Sequence, residues 1–319
     1  MNMLVALAAL LVASAAQVPV VRVVAVERGE AVVRDAVFQR EGEGRTLALV
    51  VLDGDRCFAE GRLVARQRTC APLDPAALAS IRWILAVPRA LDYDNRALCG
   101  PEASPTCHAR IAYDAREVPG ADGSGRLDTQ AFPDLSALGT HRVGATVAFR
   151  GAVLESSPLL APGPVEEDTA EALLQIVVRR DDTYVGYLTE QLGTPYVDAP
   201  ARLRGGRHQT DARIGADAAA LAVYGRRRMG EHLRYVPPEG LLAYTRPVGD
   251  APIEPGDVLR FGFQTAVLSV DRPPLGRLDP SDLVIHTYHG VAEEVPLGTL
   301  PYRDASVDVL RFVRPLVAR

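Results

Sequence analysis

The sequence predicts an α+β protein, with a β-rich first domain and a second domain that mixes helices with strands. Three observations carry this. From Val18 to about Pro164 the chain runs in short stretches rich in valine and leucine, mostly bounded by Gly, Asp or Pro, as strands are. After Pro164 acidic residues precede apolar ones and arginines follow, the order a helix dipole favours. Beyond Glu254 the strand-like runs return. At 319 residues the chain can bury two cores. The expected division is a signal segment over 1–16, a β-rich domain over 17–155, a linker over 156–165 and a second domain over 166–319.

Composition narrows the partners. A formal net charge of −5 and 24% charged residues speak against a nucleic-acid binder, which would carry a basic face. The absence of lysine, with arginine in its place, carries no functional signal.

The chain opens with Met1–Asn2–Met3, an apolar run from Leu4 to Val12, and the small residues Ala13–Ser14–Ala15–Ala16, the pattern of a secretory signal. An uncleaved membrane anchor is the alternative; no cysteine follows the run, so a lipoprotein is excluded. The expected location is the periplasm or the exterior. There an even count of cysteines favours disulfides, and of the three connectivities Cys57 with Cys70 and Cys99 with Cys107 is the simplest. A four-thiolate zinc site would want close Cys-x-x-Cys pairs, which the sequence lacks.

In chain order, strands are predicted at Val20–Ala25, Thr46–Leu52, Ile84–Val87, Ala109–Tyr113 and Ala145–Phe149. Asp74–Pro75 reads as a cap with proline at the first helical position, so Ala76–Ile81 forms a short helix. His108 and His141 have no ligand-like neighbours. Asp92–Asn95 is a polar loop, suited to a turn or to a cation or sugar. Ser156–Pro164 is the linker candidate. Helices are expected over Thr169–Arg180 and Asp182–Leu192, stopping at Gly193. Thr194–Pro195–Tyr196 begins an extended piece, and the loop through Arg202, Arg204, Arg207 and His208 leads to Gly215. There Gly215 offers an unusual backbone angle, Asp217 caps a helix, and Gly230 closes it. Asp282–His289, Val291–Val295 and Val307–Val313 read as further strands.

The order from Asp181 to Tyr302 resembles the catalytic domain of NlpC-type cell-wall peptidases. Gly193–Thr194–Pro195–Tyr196–Val197, then Gly215–Ala216–Asp217 entering a helix, then Glu254–Pro255–Gly256–Asp257–Val258–Leu259 carry the likeness. The resemblance implies a papain-like fold, with helices packed on an antiparallel sheet, and a cysteine hydrolase acting on peptidoglycan stem peptides. Carried over residue by residue, Tyr196 matches the tyrosine lining the cleft and Asp217 the residue before the nucleophile. Ala218 falls on the nucleophile, Gln264 on the general base and His286 on the group that orients the base. A methyl group and a neutral amide perform neither role. Loss of a cooperating residue costs on the order of a million-fold in rate. Natural loss of catalysis accounts for both positions together, whereas a laboratory Cys→Ala change would account for Ala218 and leave Gln264 unexplained.

The resulting expectation is an exported, catalytically degenerate protein that binds a cell-wall peptide or another extended ligand through Tyr196, Asp217, His208 and His286, with no cofactor and no metal. Two alternatives stand beside it. One is an active envelope hydrolase using other residues, for instance a metal held by His286 and His289 with Asp217, His208 or Asp211. The other is a structural envelope or adhesion protein, with Arg202, Arg204, Arg207 and Arg226–Arg228 meeting anionic wall polymers. Pro273–Gly276 with Asp279–Pro280 lengthens a loop that could cover the cleft.

Overall fold

The computed structural model describes residues 18–65, 67–89, 92–95, 107–108, 111–156, 173–203 and 206–313; of 107–108 only the backbone is described. The signal segment 1–16, nearly all of the expected linker, the pair Cys99 with Cys107, the side chain of His108, and Arg204 lie outside the described residues. The protein is mixed α+β with strands predominating. Among the described residues no helix is long and apolar enough to cross a membrane.

The first half is built on two sheets whose apolar faces meet. Alternation along Thr46–Asp53 shows why: Leu47, Leu49 and Val51 point into the shared core, and Ala48 and Val50 point to a second cluster on the sheet's other face. The second sheet adds Trp83, Leu85, Val143, Ala145 and Val147 to the shared core, with the Trp83 indole donating to the Ser124 carbonyl at 2.8 Å. Burying one such large apolar side chain stabilises by roughly 1.5–3 kcal/mol. Cys57 and Cys70 form a disulfide within the second cluster. The short helix Pro75–Ala79 is capped as expected, Asp74 accepting from the Ala77 N–H at 2.7 Å.

Two sequence expectations change here. The part of Thr169–Arg180 that is described is a strand, Leu174–Arg179, not a helix. Leu-Gln-Ile-Val-Val-Arg alternates with period two and is β-branched, so Leu174, Ile176 and Val178 enter the sandwich core. The acid-to-arginine order that suggested a helix is outweighed by this pairing. The strand runs antiparallel to Gly139–Phe149 and parallel to Ala36–Arg40, so it belongs to the first half's sheet. Of the strand expected at Ala109–Tyr113, residues 109–110 lie outside the described residues; the strand found there is Tyr113–Glu117, on the edge of that sheet. Its Asp-Ala-Arg-Glu stretch is exposed and charged, as an edge strand requires, which hid it from an apolar search.

The second half centres on a six-stranded antiparallel sheet: Thr245–Pro247, Asp308–Phe312, Val258–Phe261, Gln264–Val270, Leu283–His286 and Glu293–Pro296, in that spatial order. The helix Ala218–Arg228, the site helix below, packs Ala219, Leu221, Ala222 and Val223 onto Val258, Val267, Ile285 and Leu310 of this sheet. Tyr184–Leu188, the helix expected between Asp182 and Leu192, packs beside it and continues into a 3-10 turn over Thr189–Gln191. The opposite face of the sheet is covered by Leu300 and Tyr302 against Leu259, Phe261, Leu268 and Val284.

Candidate functional site

Asp217 caps the site helix through its Oδ1, which accepts from the Ala220 N–H at 2.7 Å, and Ala218 is the first helical residue. At the other end Glu231 N donates to the Arg226 carbonyl and Gly230 N to the Arg227 carbonyl, with Gly230 at φ +91°, the Schellman closure. Gly215 does not use the positive φ expected of it. A Cβ there would stand 2.3 Å from Val197 Cγ2, so glycine is needed for close approach of two chain segments. That approach brings Tyr196 into a bridge with Ala216, directly before the cap.

A cleft of about 570 Å³ opens at this helix terminus. Tyr196, His208, Asp217, Ala218 and Gln264, all named from the sequence, line it. Gln264 reaches it because it starts its strand straight after the two-residue turn Gly262–Phe263, where Gly262 takes φ +69°. Its side chain is buried, and Oε1 has no hydrogen-bond partner among the described residues. Tyr235, Phe263, Glu239 and Asp198, which the sequence analysis missed, also line it, as do Pro237 and Pro238. Phe263 is 64% exposed, and an aromatic residue at a hairpin tip was a readable signal of a binding surface.

His286 stands apart from the lining. It pairs directly with Ala266, which shares a face of its strand with Gln264, so it sits one position further along the same face. Its Nε2 lies 3.2 Å from Glu293 Oε1 and its Nδ1 3.1 Å from the Tyr302 hydroxyl. Burial pushes its imidazole below the ordinary value, against the raising effect of Glu293. His289, three residues on, lies in a turn at φ +51° and makes ring contacts with Tyr196 and Tyr288. The metal set considered from the sequence does not assemble: among the described residues no three His, Cys, Asp or Glu side chains could jointly hold an ion.

His208 stacks on Tyr235, ring centroids 3.9 Å apart, and forms one wall. Its Nδ1 accepts from the Thr210 N–H at 3.3 Å, which assigns the proton to Nε2, and desolvation lowers its pKa. The Tyr235 hydroxyl donates to Asp211 at 2.6 Å, and Arg227 grips the same carboxylate through Nε and Nη2 at 3.1 and 2.9 Å. Asp92–Asn95, a possible ligand loop in the sequence, instead supports the cleft: Asp92–Asp94 forms a strand parallel to Val197–Asp198, and Asn95 Nδ2 donates to Gln209 Oε1 at 2.6 Å.

The three consecutive arginines do not form a solvated face. Arg226 pairs with Glu231, Arg227 with Asp211 and Arg228 with the fully buried Glu190. The long loop after Val270 does not cover the cleft either. Asp282 ties it down by accepting from Arg272 and Asp279 N–H groups, both at 2.7 Å, Gly276 rests on Pro252, and none of its residues line the cleft. Chemically the cleft joins a helix N-terminus, the three carboxylates Asp198, Asp217 and Glu239, aromatic walls and a buried amide, whereas the nucleophile and base positions named from the sequence carry a methyl and an amide. No protein-family model matches the chain, and neither a curated protein nor a solved structure matches it.

Proposed function

We propose that this is an exported relative of the NlpC-type peptidases with a papain-like second domain, whose former catalytic cleft binds an extended cell-wall peptide without cleaving it. The observation that carries this reading is the juxtaposition of Ala218 and Gln264 on one cleft. In a peptidase of that kind those two positions would hold a thiol and an imidazole. Acyl transfer needs a nucleophile and a group to take its proton, and a methyl and an amide supply neither. The amide does offer recognition. A buried carbonyl oxygen without a donor costs roughly 1–3 kcal/mol, so a peptide N–H placed against Gln264 Oε1 gains that back on binding. Peptide side chains then meet the aromatic walls at Tyr196, Tyr235 and Phe263.

The test restores the missing chemistry. The double variant Ala218→Cys/Gln264→His is incubated with a peptidoglycan stem peptide, and cleavage is followed beside the wild type and each single variant. Cleavage by the double variant alone is the expected result. A wild type that cleaves the peptide overturns the reading.

A further inference from the structure

Next to the cleft, on the far side of the stacked His208–Tyr235 pair, lies a second cavity of about 610 Å³. Four arginines, Arg202, Arg207, Arg227 and Arg234, line it against one carboxylate, Asp211. This is a sharp local excess of positive charge in a chain whose net charge is −5. We propose that this cavity is an oxyanion site, taking a carboxylate or phosphate group of a ligand.

Surface arginines are more often solvated than bound, so the distinction rests on shape and preorganisation. The arginines line a concavity, where low-dielectric walls focus their field on a bound anion. Arg227 is fixed by Asp211 and by a 2.6 Å bond from Nη1 to the Leu233 carbonyl, and its guanidinium lies over the Tyr235 ring at 4.9 Å. A guanidinium has five N–H groups, so two remain for a ligand. Arg202 is held by Nη1 donating to the Gly206 carbonyl at 3.0 Å. A neutral acceptor orients this side chain without cancelling its charge, which lowers the ordering cost of binding. Among the described residues Arg207 has one loose ion-pair contact, 4.0 Å from the exposed Asp35. Among the described residues neither Arg202 nor Arg234 has a carboxylate within ion-pair distance. Planar guanidinium forks match the two oxygens of a carboxylate or phosphate.

The site does not depend on the peptide reading of the neighbouring cleft, since neither Ala218 nor Gln264 lines it. The experiment titrates the full chain with inorganic phosphate and, separately, with succinate, by calorimetry at low and high sodium chloride. Saturable binding of at least one probe, weakened by salt, is expected. In the variant Arg202→Gln/Arg234→Gln, whose altered side chains are exposed, affinity falls about tenfold or more, on the order of 1.4 kcal/mol. The control Arg22→Gln, on a strand of the first half, binds as the wild type does. Phosphate binding tighter than succinate assigns a phosphorylated ligand, and the reverse a carboxylate. No saturable binding of either probe, or unchanged affinity in the double variant, overturns the proposal.

Discussion

Glu190 anchors the site helix through two of its side chains. Its carboxylate is fully buried, accepts from the Tyr224 hydroxyl, and binds Arg228 through Nε at 2.8 Å and Nη2 at 3.0 Å, with Arg179 at 3.6 Å. Tyr224 and Arg228 belong to the site helix, and Arg179 ends the strand Leu174–Arg179 of the first half, so one carboxylate ties the helix to that sheet. Replacing it with alanine leaves Tyr224 without its acceptor and the Arg228 guanidinium without a counter-charge, while Arg179 keeps Asp182 at 2.8 Å. Breaking a buried pair this way costs about 3–5 kcal/mol, and because Arg179 and Arg228 keep 17% and 30% side-chain exposure they rehydrate in part, which selects the lower end. Glu190→Ala should therefore cost about 3 kcal/mol, and Glu190→Gln, which keeps an acceptor for Tyr224 and loses only the charge, roughly half of that. In thermal denaturation the first variant should melt roughly 6–12 °C lower. Urea unfolding followed by circular dichroism provides the free energies, and hydrogen exchange on site-helix amides localises the effect. A loss below about 1 kcal/mol in Glu190→Ala would refute the reasoning, because it would mean the arginines find water or other partners at little cost.

Two further outcomes follow from the same geometry. The Cys57–Cys70 bridge closes a loop with a sequence separation of 13, so reduction or Cys57→Ala/Cys70→Ala should cost about 3 kcal/mol of unfolding free energy, visible as a lower urea midpoint; an unchanged midpoint contradicts it. The histidines supply a pH dependence: burial lowers the pKa of His141, His208 and His286 in the folded state. The unfolded chain therefore takes up protons first. Stability is fully present above the unfolded value, roughly 6.5, and falls as the pH drops below it, by at most about 1.4 kcal/mol per pH unit for each histidine. Urea midpoints should be lower near pH 5.5 than near pH 7.5, and an equal or higher midpoint at the acid end would show that these imidazoles gain no protons on unfolding.

What could be read from the sequence was what local chemistry specifies. Asp74 and Asp217 cap their helices, Gly230 closes the second, and the valine-rich runs Val20–Ala25, Thr46–Leu52 and Ala145–Phe149 lie in strands, the last of which begins earlier, at Gly139. Ala218 and Gln264, both named from the sequence, line one cleft. The rest depended on contacts distant in sequence. Leu174–Arg179 is a strand because Gly139–Phe149 and Ala36–Arg40 are there to pair with it, and no local signal outranks two neighbours. Gly215 was legible as a glycine that mattered but not for its reason, since Val197 approaches it only in the folded chain. The triple arginine looked like a surface feature until Glu190, Asp211 and Glu231, from three different places, each took one guanidinium. Tyr302 and Glu293 beside His286 were invisible for the same cause.

Binding in the cleft is tested most directly by titrating a peptidoglycan stem peptide into the wild type and into Phe263→Ala. Phe263 lines the cleft at a hairpin tip and is 64% exposed, so its removal leaves the core untouched and takes away one aromatic wall. The wild type should bind the peptide saturably and leave it intact, and Phe263→Ala should bind it about tenfold more weakly, the order expected for one aromatic contact. Absence of saturable binding to the wild type, or recovery of the peptide in cleaved form, would contradict it.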